Sequence, residues 1–132
     1  MTIKESNITI NVKDLDKSVS FYESIGFTIK NRWDNHYAQL MAPNVVIGLH
    51  PTSDENLAGT SGNVSIGFTT DDFESVKSLL HKLSIKNTER REEGGLFLHF
   101  TDPDGTSLYF IEPKWWLVLF ALSLTVCVLT NH

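Results

Sequence analysis

The side chains of this 132-residue chain best suited to chemistry are Asn7 and Asn63, His50 and His99, Tyr37 and Tyr109, and the Arg32-Trp33 corner. Carboxamides and phenols donate and accept hydrogen bonds, imidazoles bind protons or metals, and indole offers a flat stacking face. Together they suit the recognition of a small organic ligand. Each also has a plainer reading. Asn7 and Asn63 stand where strands begin, so their amides have backbone or water as alternative partners. Trp33 is equally a turn aromatic covering a sheet edge. His50 and His99, with Glu112 or Tyr109, form a rival metal set, although lone strand histidines are more often hydrogen-bonded or surface residues. No catalytic residue is assigned. Gly59-Thr60-Ser61-Gly62 lies in a polar linker, not after a strand, so it is no nucleophile elbow. Neither a P-loop nor a dinucleotide fingerprint occurs.

These residues are positioned by a unit that the chain repeats. Asn7-Ile8-Thr9-Ile10-Asn11-Val12 opens it, and 56 positions later Asn63-Val64-Ser65-Ile66-Gly67-Phe68 opens it again. Ile8, Ile10 and Val12 alternate with Asn7, Thr9 and Asn11, so one strand face packs on a helix and the other looks away. The first helix starts near Asp14 to Asp16 and buries Leu15, Val19, Tyr22 and Ile25, with Phe21 beside them; Gly26 stops it. The second starts at Asp71-Asp72-Phe73-Glu74, with Asp71 and Glu74 at capping-box spacing, and buries Phe73, Val76, Leu80 and Leu83. Three short strands follow each helix: residues 27–32, 36–41 and 45–50, then 86–91, 96–101 and 106–112. Asp102-Pro103-Asp104-Gly105 has the residue order of a type I turn. Each module therefore reads βαβββ. Module one covers residues 3–50, a linker 51–62, and module two 63–113.

This ordered set, with Phe21-Tyr22, Gly26-Phe27 and the Asp-Pro-Asp-Gly turn, resembles the vicinal-oxygen-chelate superfamily of glyoxalase I, extradiol dioxygenases, and fosfomycin- and bleomycin-resistance proteins. The resemblance covers about residues 3–113. It implies an α+β fold of two pseudo-symmetric βαβββ modules forming a concave mixed sheet around a pocket, usually as a homodimer. It also implies four metal-ligand positions, which align here with Asn7, Gly48, Asn63 and Tyr109. None is a histidine or a carboxylate, and such a set would hold Zn, Ni, Fe or Mn poorly. The expectation is a metal-free binding protein that sequesters a small-molecule ligand through Asn7, Asn63, His50, His99, Tyr109, Trp33, Arg32 and Tyr37. The alternative is a metal-dependent lyase or dioxygenase with its ligands displaced to His50, His99 and Glu112.

Composition narrows the partners. The formal net charge is −5, and the basic pair Arg90-Arg91 is followed at once by Glu92-Glu93, which argues against nucleic acid. A single cysteine, Cys127, fits a reducing compartment, and the amino terminus lacks the apolar core of a signal peptide, so a cytoplasmic protein is expected. The segment 114–132 lies outside the family pattern. Residues 115–130 are uncharged and apolar, slightly short of the ~20 residues of a spanning helix. Three readings compete for this tail: a membrane anchor, a cover for apolar surface on the domain or a dimer interface, or translated sequence foreign to the domain. Burial is favoured over anchoring.

Overall fold

A computed structural model describes residues 2–54, 56–58 and 64–113. Asn63, Cys127 and the apolar tail lie outside the described residues. The chain folds as βαβββ twice. The first pass is β1 (Ile8–Val12), α1 (Leu15–Ser24), β2 (Thr28–Trp33), β3 (Tyr37–Ala42) and β4 (Val45–Pro51). The second is β5 (Ser65–Thr69), α2 (Phe73–Lys82), β6 (Thr88–Glu92), β7 (Gly95–Thr101) and β8 (Ser107–Pro113). Strand order is β1-β4-β3-β2 in one sheet and β5-β8-β7-β6 in the other, giving the α+β class expected. No helix among the described residues is long and apolar enough to cross a membrane.

In the first sheet β1 runs parallel to β4, while β3 is antiparallel to both β4 and β2. Alternation sets the faces. Ile10, Val12, Ala38, Leu40, Ile47 and Leu49 are buried, with Leu15, Val19 and Tyr22 of α1 also in the core. Thr9, Tyr37, Gln39 and Gly48 take the opposite parity and make an open face. A bulge between Ile29 and Asn31 shifts the β2–β3 register, so Trp33 pairs with Tyr37. β4 runs one residue beyond the expected strand, because Thr52 donates its amide hydrogen to the Val12 carbonyl at 2.8 Å and prolongs the ladder.

In the second sheet Ile66, Leu98, Phe100, Leu108 and Phe110 are buried, as are Phe73 and Leu80 of α2. Phe110 stacks on Phe100 with ring centroids 5.7 Å apart and meets Phe68 at 5.2 Å. Both helices are capped at the start by an aspartate. Asp14 accepts from the Lys17 amide, and Asp72 from the Ser75 amide and hydroxyl. The second cap lies one residue past the Asp71–Glu74 box expected from the sequence, because Ser75 supplies two donors to Asp72 at once. Both helices end alike. The Phe27 amide reaches the Tyr22 carbonyl and the Ile85 amide reaches the Leu80 carbonyl, each across a residue at positive φ. That residue is Gly26 in the first module but Ser84, at φ 59, in the second.

The chain divides into two compact units, and the segment Thr101–Ser107 groups with the first one. Two carboxylates of the segment bond to that unit. Asp102 is 4% exposed, takes the Tyr22 hydroxyl at 2.7 Å, and accepts the Asp104 and Thr106 amides at 2.9 and 2.8 Å. Asp104 in turn accepts the Lys13 amide at 3.3 Å. The turn therefore has the expected residue order, but its acids also face α1 and the end of β1, beyond their local roles.

Burial first, then the Asp102 carboxylate, raises the Tyr22 phenol pKa far above the ordinary tyrosine range. A group whose folded pKa is raised contributes stability that is full below its unfolded pKa of about 10 and is lost as pH rises beyond it. Urea unfolding from pH 7 to 11 should show an alkaline decline that Tyr22→Phe reduces. At pH 7 that variant should lose about 1.5–3 kcal/mol, the usual worth of a hydrogen bond to a charged group. An unchanged alkaline limb would remove Tyr22 as its source.

Candidate functional site

The open face of the first sheet is built around a strand position with no side chain. Gly48 lies in β4 between Thr9 of β1 and Gln39 of β3. A Cβ built on it would run into the Tyr37 hydroxyl and come within 2.6 Å of its ring carbon. The glycine is therefore the seat of the Tyr37 phenol. From there the hydroxyl lies 3.0 Å from Thr9 Oγ1, and Asn7 donates through Nδ2 to Tyr37 at 3.2 Å and to Thr9 at 3.3 Å. Trp33 lies beside Tyr37 with ring centroids 5.6 Å apart, and it is 50% exposed. Asn31 donates to Gln39 at 3.2 Å on the same face.

The second sheet repeats the device with the partners exchanged. Gly67 of β5 lies under the Tyr109 ring, where a Cβ would meet the phenol carbon and oxygen. Tyr109 is 5.8 Å from His99 and 5.9 Å from Phe97, and these two stack on each other at 5.7 Å with 9° between planes. Phe97 and His99 sit opposite Arg90 and Thr88 of β6. This face is aromatic, with an imidazole and a phenol at its centre.

The structure thus brings together Asn7, Tyr37 and Trp33 in one unit, and His99 and Tyr109 in the other. His50 is exposed on β4, paired in register with Asn11. Arg32 does not join Trp33. It pairs with Asp16 of α1, and its Nε donates to the Asp34 carbonyl at 2.9 Å, which holds it toward the helix side of β2. Glu112 also separates from His99: alternation along β8 puts Tyr109 and Ile111 on one face and Glu112 on the other. Among the described residues no three His, Cys, Asp or Glu side chains come together to hold a metal. Sequence reasoning gave Thr9 no role and read the missing side chain at Gly48 as room for a ligand, whereas Tyr37 fills that space. The available signal was a glycine inside a strand, which marks close approach; which residue approaches depends on pairing register.

The chain belongs to the Glyoxalase/Bleomycin resistance protein/Dioxygenase superfamily, which it matches over residues 6–110. A bleomycin-binding protein, solved in complex with bleomycin, has 21% sequence identity and a TM-score of 0.63, covering 85% of this chain and 100% of that one. Lactoylglutathione lyase from Agrobacterium tumefaciens has 17% identity and a TM-score of 0.66, covering 88% and 98%. An uncharacterized protein of Mycolicibacterium smegmatis is 31% identical over 68 residues. That match spans 52% of this chain and about half, 56%, of the relative.

Of the positions that the resemblance marks for metal ligands, Gly48 has no side chain and its space holds the Tyr37 hydroxyl, Asn7 donates to the Tyr37 and Thr9 hydroxyls, and Tyr109 lies over Gly67. Gly48→Ala should cost about 1–3 kcal/mol by overpacking against Tyr37. In a Tyr37→Ala background the same change should cost much less, since the two residues compete for one space. Additive costs in denaturant unfolding of the four proteins would show that Tyr37 does not rest on Gly48.

Proposed function

We propose that the chain is a metal-free binding protein for a small organic molecule, one that holds its ligand without turning it over. One observation carries this reading: the Tyr37 phenol fills the place that a ligating side chain at position 48 would need. Lewis-acid catalysis needs imidazole or carboxylate donors in firm geometry, and an amide, a glycine and a phenol do not provide them. What these faces do provide is flat aromatic area beside hydrogen-bonding groups, the usual furniture of small-molecule sites. The bleomycin-binding relative shows that this fold can serve such a role in another protein. On the same reading the binding residues are Asn7, Asn63, His50, His99, Tyr109, Trp33 and Tyr37, while Arg32 serves the β2 corner. On this reading residues 1–113 form one domain that works as a homodimer, and the single cysteine fits a reducing, cytoplasmic compartment.

The second reading, a metal-dependent lyase or dioxygenase, draws on the lactoylglutathione lyase relative. Elemental analysis of the purified protein, followed by titration with Zn, Ni, Fe and Mn, separates the two. The binder reading expects no bound metal and no thermal stabilisation by any of the four ions. About one tightly held ion per chain would overturn it. For a ligand recovered from a compound screen, Trp33→Ala should weaken binding by about 1–3 kcal/mol, the size typical of truncated aromatic contacts. Unchanged affinity in isothermal titration would take Trp33 out of the site.

A further inference from the structure

Strand alternation sorts the charged run of β6 into two sides. Glu89 stands opposite Leu98 and Arg91 opposite Leu96, so both take the helix side of the second sheet. There Glu89 pairs with Lys77 of α2 at 2.8 Å. Arg90 stands opposite Phe97 and Thr88 opposite His99, so both take the open face. Glu92, opposite Gly95, is the carboxylate of β6 on that same face, two positions nearer the β6–β7 turn. Among the described residues Arg90 has neither an ion pair nor a hydrogen bond, to Glu92 or to any other group. The remaining strands bring no further carboxylate to this face. β5 contributes Ser65 and Thr69 on either side of Gly67, and Glu112 of β8 lies on the other side.

What lies beside Arg90 is a set of rings. Phe97 and His99 stack at 5.7 Å, Tyr109 meets them at 5.9 and 5.8 Å, and all three are half-buried. Directly opposed residues of antiparallel strands have Cβ atoms about 4.5–5.5 Å apart, so the Arg90 side chain leaves the sheet next to Phe97. A guanidinium is always charged and only donates, so the sign of what it attracts is fixed whichever way the side chain turns. We propose that this face binds a planar aromatic carboxylate, with its ring against Phe97, His99 and Tyr109 and its carboxylate in the fork of Arg90. The fork matches a carboxylate with two parallel N–H···O bonds. Glu92 repels an anion from the turn end of β6, which directs the carboxylate toward Thr88 and the His99 side. This assignment rests on the binder reading and names its ligand class. It also makes Arg90 a specificity residue, for an anion, in a chain whose formal net charge is −5.

Three probes test the assignment on the full-length protein by amide chemical shifts. 2-Naphthoate has a flat ring and a carboxylate, 2-acetonaphthone the same ring without charge, and cyclohexanecarboxylate the charge without a flat ring. Naphthoate should shift the Arg90, Phe97 and His99 signals and bind about fivefold more tightly than either of the others, the factor that one partly exposed charged contact or one ring contact supplies. Arg90→Gln should lower naphthoate affinity by a similar factor and leave acetonaphthone affinity unchanged; Arg90 is exposed, so the core does not depend on it. Arg91→Gln makes the same change of charge on the other side of the strand and should leave naphthoate affinity unchanged. Equal losses in the two variants would trace the effect to net charge and overturn the Arg90 contact, as would an unchanged naphthoate affinity in Arg90→Gln. Cyclohexanecarboxylate binding as tightly as naphthoate overturns the ring contact, and absence of shifts at this face with all three probes overturns the site. Metal content decides the binder reading separately, so each of these failures leaves that reading standing.

Discussion

A phenol buried on a helix has to find an acceptor, and the first unit is arranged around how Tyr22 finds one. Its ring meets Phe21 and Phe27 edge-on at 5.2 and 5.3 Å, inside the core that the first sheet covers. The hydroxyl would be costly to bury alone. Asp102 supplies the oxygen, and because that carboxylate also gathers the amides of Asp104 and Thr106, a turn 80 residues away in sequence is fixed to α1. Removing one hydroxyl thus bears on the packing of α1 and the conformation of the turn together. Asp104, placed by that turn, then meets the Lys13 amide where β1 hands over to the helix.

The open faces obey a different constraint, which is space. In each sheet a tyrosine ring needs somewhere to lie, and a glycine on a neighbouring strand gives it: Gly48 for Tyr37, Gly67 for Tyr109. The consequence for function differs between the two sheets. In the first, the phenol ends among hydroxyl and amide groups, so the outcome is a hydrogen-bonding cluster. In the second it ends against Phe97 and His99, so the outcome is an aromatic surface. Membership of the superfamily accounts for the fold, while what each face can do is left to the side chains that these two glycines admit.

Much of the fold was legible because its signals are local. The 56-residue repeat, the alternation of Ile10 and Val12 with Thr9 and Asn11, the aspartates ahead of each helix and the Asp-Pro-Asp-Gly turn all act within a few residues. Where local signals tie, the reading slipped. Asp71 and Asp72 both look like caps, and only the geometry of Ser75 chooses between them. The site was less legible for the same reason turned around. Arg32 and Trp33 are neighbours in sequence, yet strand alternation and Asp16 send them to opposite sides of β2. His99 and Glu112 looked compatible as ligands until β8 placed Glu112 on the other face from Tyr109.

The sequence by itself determined the class of structure and the chemical inventory: two βαβββ modules, a ligand set without histidine or carboxylate at the implied metal positions, and aromatic and amide groups on the strand faces that look away from the helices. Those properties depend on periodicity and residue type, which are written along the chain. Only the tertiary structure decided that Tyr37 fills the position over Gly48, that Thr9 completes its hydrogen bonds, and that Asp102 serves Tyr22. Each of those facts is a pairing between residues far apart in sequence. Such pairings are set by strand register and by the need to satisfy buried or crowded groups, and no local pattern encodes them.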